Sequence, residues 1–183
     1  MLKPGLKQIF TLCLVLLSLS LSSCVAAGAG FKSYVNTASG YEFLYPNGWL
    51  EIKVSDGPDV VFHDMIDQAE NVSVVISPVP QDKTLSDIGT PSEVGYKLSK
   101  NAIAPEGSGR EAELINAEAR ELGEKTYYLL EYEVKLPNQI RHDLASVAIS
   151  RGQLFTLNVS ISDNLWQKSH QQLEQVAKSF SVY

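Results

Sequence analysis

The sequence predicts an α+β fold, a largely antiparallel sheet with one or two helices packed on it. Three observations carry that expectation. Short segments rich in β-branched and aromatic residues follow one another without helical crossovers between them. Two pairs of segments are joined by two-residue turns, Gly123-Glu124 and Arg151-Gly152, a spacing that folds neighbours back as antiparallel hairpins. The chain has 183 residues, 44% apolar and 20% charged, the size and balance of one globular domain.

Taken in order, Lys32 to Thr37 (KSYVNT) is a short β-prone segment. Tyr41 to Tyr45 (YEFLY) alternates and stops at Pro46-Asn47-Gly48, a turn signal, after which Trp49 to Val54 resumes. Asp59 to His63 and Asn71 to Ser77 are β-branched strands bracketed by acidic or proline turns. Leu85 to Ile88 is compatible with helix or strand. Thr90-Pro91-Ser92-Glu93 reads as a helix start with proline at its first position, and Val94, Leu98 and Ala102 form an apolar stripe behind it. Ala104 to Arg110 (APEGSGR) reads as a loop. Glu111 to Leu122 and Lys125 to Val134 flank the first hairpin turn, and Arg141 to Ser150 and Gln153 to Ser160 flank the second. A last helix is expected to be capped by Asp163 or Asn164. Leu165, Trp166, Leu173, Val176, Ala177 and Phe180 make its buried face. Tyr127 and Tyr128 point to opposite faces of one strand, so one of them is expected to be exposed. The two tryptophans, Trp49 and Trp166, read as core residues.

The N-terminus sets the compartment. Lys3 and Lys7 precede an apolar run from Ile9 to Leu21, too short to span a bilayer comfortably but right for a signal segment. Leu21-Ser22-Ser23-Cys24 then has the form of a bacterial lipobox: a branched apolar residue, two small residues, and a cysteine whose thiol takes a diacylglycerol. The expected organisation is a lipoprotein signal peptide over 1–23, a lipidated flexible tether over 24–30 (CVAAGAG) and one domain over 31–183. Cleavage would leave 160 residues and move the net charge from −6 to −8, because Lys3 and Lys7 are lost. The remaining cysteine would carry lipid, which leaves no disulfide and no cysteine nucleophile. No second apolar run of membrane length follows.

The composition excludes several functions. An acidic chain lacks the basic face a general nucleic-acid binder needs to displace counterions. Two cysteines and three histidines do not make a zinc finger. There is no P-loop, no G-x-G-x-x-G, no G-x-S-x-G and no H-E-x-x-H, and no histidine has an evident nucleophile beside it. Gly107-Ser108-Gly109 lacks the lysine and the following helix of a phosphate cradle, and the sequons at Asn71 and Asn158 fall inside strands.

The histidines are the remaining candidates. If Ser150 pairs with Gln153, partner numbers in the second hairpin sum to 303 and His142 faces Ile161. Asp163 lies two residues on, diagonal to His142 on the same face. That arrangement is either a joint site for a divalent cation or an ion pair, with Asp163 free to cap the helix instead. His63, Asp64 and Asp67 form a weaker cluster that reads better as a solvated turn. His170 and Glu174, spaced i,i+4 on the last helix, suit an exposed pair better than a metal site.

These segments together resemble a known family. Tyr41-Glu42-Phe43-Leu44-Tyr45-Pro46-Asn47-Gly48-Trp49 resembles the G-Y-x-F-x-Y-P-x-x-W opening of the PsbP family. Val60 to Met65 (VVFHDM) resembles its v-v-F-x-D strand, followed by N-V-S-V. Leu85 to Val94 (LSDIGTPSEV) resembles its most specific motif, I-x-D-(F/L)-G-(S/T)-P-x-E-V. The ending Leu154 to Trp166, with S-x-x-D-x-x-W, fits as well. The likeness covers about residues 33 to 183, and with the lipobox it looks like the family's cyanobacterial lipoprotein member.

The resemblance implies an α-β-α sandwich around a central, mainly antiparallel sheet. It implies a non-enzymatic protein anchored by lipid on the lumenal side of the thylakoid membrane. Such a protein would be a monomer meeting photosystem II core subunits or assembly intermediates. The plant relative helps retain calcium and chloride at the manganese cluster, and a His and an Asp on its hairpin are implicated in metal binding. They match His142 and Asp163, the pair also reached from the hairpin register. No cofactor is then required, and the pair is a candidate for a divalent cation (calcium, manganese or zinc). One departure counts against direct ion retention: the extended N-terminal segment that serves it in the plant protein is replaced here by lipid and VAAGAG. The alternative reading is a thylakoid or periplasmic lipoprotein that handles manganese, calcium or zinc. An enzyme ranks last, for want of an activated nucleophile.

Overall fold

The computed structural model describes residues 30–183. The signal segment, Cys24 and nearly all of the tether lie outside the described residues. Ten strands and three helices follow in the order β1 (Phe31–Asn36), β2 (Tyr41–Pro46), β3 (Trp49–Ile52), β4 (Val60–Asp64), β5 (Asn71–Pro78), α1 (Leu85–Ile88), α2 (Pro91–Leu98), β6 (Glu111–Leu122), β7 (Lys125–Leu136), β8 (Gln139–Ser150), β9 (Gln153–Ser162), α3 (Asp163–Ser179) and β10 (Ser181–Val182). A π-helical turn, Ser99–Ile103, prolongs α2.

Seven strands form one sheet in the order β3-β4-β5-β9-β8-β7-β6, and β1, β2 and β10 form a small second sheet. Every pairing in the large sheet is antiparallel. Two meanders build it. The chain runs β3 to β5, crosses through α1 and α2 to the far edge at β6, and returns strand by strand until β9 lies beside β5. The α+β expectation holds. Leu85 to Ile88 resolves as helix: Asp87 accepts a 2.8 Å bond from the Thr84 N–H, which closes the first turn.

Both faces of the large sheet are covered in its centre. On one face α1 and α2 pack on β6, β7 and β8 around Leu85, Val94, Leu130, Tyr132 and Val147. Two tyrosines pin the helices there: the Tyr128 hydroxyl donates to the Gly89 carbonyl at 2.9 Å, and Tyr132 to that of Gly95 at 3.0 Å. On the other face lie α3 and the small sheet, the latter joined to the large one through an aromatic cluster of Tyr34, Tyr41, Phe43, Tyr45 and Phe62. Tyr127 faces this side and is buried too. Its hydroxyl accepts from the Val182 N–H at 3.0 Å, and Arg120 lies 4.6 Å over its ring. The expectation that one of Tyr127 and Tyr128 is exposed therefore fails. Alternation tells which face a residue takes, but not whether a second layer covers that face.

Thr90 and Pro91 start α2 as expected. The Thr90 hydroxyl accepts from the Glu93 N–H at 3.3 Å, and Glu93 accepts from the Thr90 N–H at 2.8 Å. This reciprocal cap satisfies two helix-end donors. Thr90→Ala is expected to cost about 1 kcal/mol in urea unfolding. The Thr90 bonds hold the Glu93 carboxyl below its ordinary value of 4.5. Because the folded value is the lower one, its stabilisation is complete above the unfolded value and is lost as pH falls through the folded value. Amide protection in α2 should therefore drop relative to the sheet at acid pH, and Glu93→Gln should remove that difference. Equal pH dependence in the variant would refute the cap's role.

Candidate functional site

The hairpin β8–β9 forms in the expected register. Ser150 pairs with Gln153, and His142 pairs with Ile161. The turn is Arg151-Gly152, with φ of 51° and 71°, the left-handed pair a tight hairpin requires. Residue 163 is the first residue of α3, not its cap. Ser162 occupies the capping position, and the Asp163 side chain turns to His142 instead. The imidazole Nε2–H of His142 donates to Asp163 Oδ1 at 2.8 Å. The histidine is buried and the carboxylate is exposed, so the pair has an inner and an outer end.

Trp166, one turn further along α3, lies flat against His142, with ring centroids 4.5 Å apart and planes 6° apart. His170, the next turn on, meets the same indole edge-on at 4.5 Å. Trp166 is thus half-buried between two histidines rather than a plain core residue. Leu165 faces solvent, contrary to the expected buried face of α3, while Leu173, Val176, Ala177 and Phe180 are buried as expected. The spacing of Asp163, Trp166 and His170 is the helical i, i+3, i+7 pattern that would have shown this cluster in the sequence.

The site is held from below by a pair that sequence reasoning missed. Glu70 is 2% exposed and Arg141 7%. The Arg141 guanidinium donates to the Ala69 carbonyl at 2.7 Å and to Ser160 Oγ at 3.1 Å, and it lies 3.4 Å from Glu70 Oε2. The same Glu70 oxygen accepts from the Ser162 N–H at 2.8 Å, just where β9 passes into α3. The pair thereby locks the turn before β5, the β8–β9 hairpin and the start of α3 together. Arg141 and Glu70 are 71 residues apart, and no local motif marks them.

The weaker candidates are occupied elsewhere. His63 Nδ1–H donates to the Asp64 carbonyl at 2.7 Å. Asp64 accepts from the Ile66 and Asp67 N–H groups at 2.7 and 2.9 Å, and Asp67 accepts from Ala69 at 3.1 Å, so these carboxylates build turns. Glu174 pairs with Lys178 at 2.6 Å, and His170 takes the Trp166 edge instead. Among the described residues no group of three or more His, Cys, Asp and Glu side chains comes together. The donors at His142 and Asp163 fit a two-ligand, water-completed cation site, not a closed structural one.

A family model described as PsbP matches residues 29–182.

The chain belongs to the PsbP family.

A PsbP-family relative, CyanoP of Synechocystis sp. PCC 6803, is 46% identical over 188 residues, covering 100% of each chain. The solution structure of cyanobacterial PsbP (CyanoP) from that organism superposes with a TM-score of 0.73 at 47% identity, over 90% of this chain and 99% of the other. PsbP-like protein 1, chloroplastic, of Arabidopsis thaliana is 32% identical over 162 residues, 88% of this chain and 69% of the relative. The antiparallel PsbP architecture expected from the sequence motifs is thus the one observed. The most specific motif, Leu85 to Val94, is the segment that forms α1 and the cap of α2.

Proposed function

We propose that this protein is a non-enzymatic accessory or assembly factor of photosystem II, held on the lumenal side of the thylakoid membrane by lipid on Cys24. The observation that carries the reading is likeness to CyanoP over the full length of both chains. The lipobox supports the anchor, and relatives named as chloroplastic support a photosynthetic membrane. Two or three acyl chains keep a protein on a membrane where one chain binds reversibly. Confinement raises the effective concentration at the membrane, so a weak protein contact suffices. C-terminally tagged protein should recover photosystem II subunits or assembly intermediates from detergent-solubilised thylakoids. Recovery of none from cells in which the protein is lipidated overturns the proposal.

The second reading concerns His142 and Asp163. A divalent cation would replace the proton they share, joining a neutral imidazole to a carboxylate. The buried histidine fixes one ligand and the exposed carboxylate leaves the remaining positions to water. Trp166, stacked on that imidazole, reports the event. Zinc titrated into the protein should change Trp166 fluorescence saturably, and His142→Ala should weaken binding at least tenfold. Unchanged affinity in His142→Ala removes this pair as the metal site. Pull-downs with the same variant separate the two readings: partners retained means docking does not use the metal.

A further inference from the structure

On the face of the sheet that carries α1 and α2, the helices stop short of β5 and β9. Between the end of α2 and these strands lies a cavity of about 270 Å³, walled by Leu98, Ile103, Ala145 and Leu154. A second, polar cavity of about 320 Å³ adjoins it, with Asn71, Arg141 and Ser160 in its wall. Three residues line both and so stand at the waist between them: Arg110, Asp143 and Asn158.

The waist holds polar atoms with nothing to bind. Asp143 is 7% exposed, and its Oδ1 has no hydrogen-bond partner. Asn158 Oδ1 and Arg141 Nη1 are likewise buried and unpartnered. Such groups are scarce in folded proteins because each costs stability. Burial pushes the Asp143 acid above its ordinary range, although hydrogen bonds from Ser160 and Asn158 and the charges of Arg141 and Arg110 pull it down.

The unpartnered set is two oxygen acceptors and one guanidinium donor. An ammonium group supplies protons to both oxygens, and a carboxylate accepts from Arg141 and Arg110. The charges within the cleft balance as well: Glu70 lies beside Arg141, and Arg110 faces Asp143 across the waist. A ligand carrying one positive and one negative end keeps that balance. The apolar cavity, about 270 Å³, lies just below the ~300–1,000 Å³ range of ligand sites, which limits the rest of the molecule to a short hydrocarbon group.

We infer that this cleft binds a small ammonium carboxylate with an apolar side chain, an α-amino acid or close analogue, gripped at Asp143, Asn158, Arg110 and Arg141.

The test is to titrate L-leucine into the ¹⁵N-labelled full chain and follow amide shifts. Leucine amide, which lacks the carboxylate, and 4-methylpentanoate, which lacks the ammonium, are run beside it. Leucine should give saturable shifts centred on Ala102, Ala145 and Asn158, with an affinity at least tenfold above either analogue. Asp143→Asn, which keeps the shape and the contacts of the side chain but removes its charge, should weaken leucine binding at least tenfold with the sheet's amide pattern intact. Ile103→Phe, which fills the apolar cavity, should abolish binding with the sheet's amide pattern intact. Absence of saturable shifts at millimolar leucine overturns the inference and leaves the cleft to water. So does equal binding of either analogue, or an Asp143→Asn variant that keeps its affinity.

Discussion

Arg141→Ala is expected to lower stability by about 3–5 kcal/mol, the cost of leaving one member of a buried ion pair without its partner. Three contacts go at once. Glu70 keeps its bond from Ser162 but loses the cation beside it, and the Ala69 carbonyl and Ser160 hydroxyl lose their donor. The double variant Glu70→Met/Arg141→Met should recover much of the loss, since a hydrophobic pair often replaces a buried ion pair without penalty. Recovery should be incomplete, because the Ser162 N–H then loses its acceptor at a cost of about 1–3 kcal/mol. Urea unfolding of the three proteins reads this directly. A single variant within about 1 kcal/mol of wild type would show that the pair does not hold the junction. Trp166 fluorescence should also shift in Arg141→Ala, because the start of α3 carries Asp163.

Phe43→Ala should be comparably severe, at about 3–5 kcal/mol. Phe43 is 1% exposed and lies at the centre of the aromatic cluster, 5.4 Å from Tyr34, 5.9 Å from Phe62 and 6.3 Å from the stacked Tyr41 ring. It is where the small sheet meets the large one. A collapse of neighbours into the space would reduce the cost, but Tyr41 cannot follow freely: its hydroxyl donates to Asp59 at 2.6 Å. Phe43→Leu should restore part of the loss. A cost below about 1 kcal/mol for Phe43→Ala would mean that the site collapses without leaving a cavity.

What the sequence makes legible is local. Arg151-Gly152 fixes the register of β8 and β9, and the register alone brings Asp163 to His142. Thr90, Pro91 and Glu93 fix the start of α2. What it conceals is set by distant partners. β10 is two residues long and pairs with β2 across most of the chain, so no periodicity announces it. Tyr127 and Tyr128 alternate like a half-exposed strand, yet separate layers cover each of them. Asp163 has the chemistry of a helix cap, but a histidine on the neighbouring strand claims its carboxylate. Arg141 reads as one more strand residue until Glu70 arrives from another meander.

The outer strand β6 has a last consequence. It pairs with β7 on one side only, and Ile115 is an extra residue that breaks its register between Leu114 and Asn116. Glu111, Glu113, Glu118 and Glu121 stud the same strand with negative charge. A bulge twists the free backbone out of line, and like charges on two such edges repel. Copies that meet edge to edge therefore do not add strand to strand, and the sheet ends at seven.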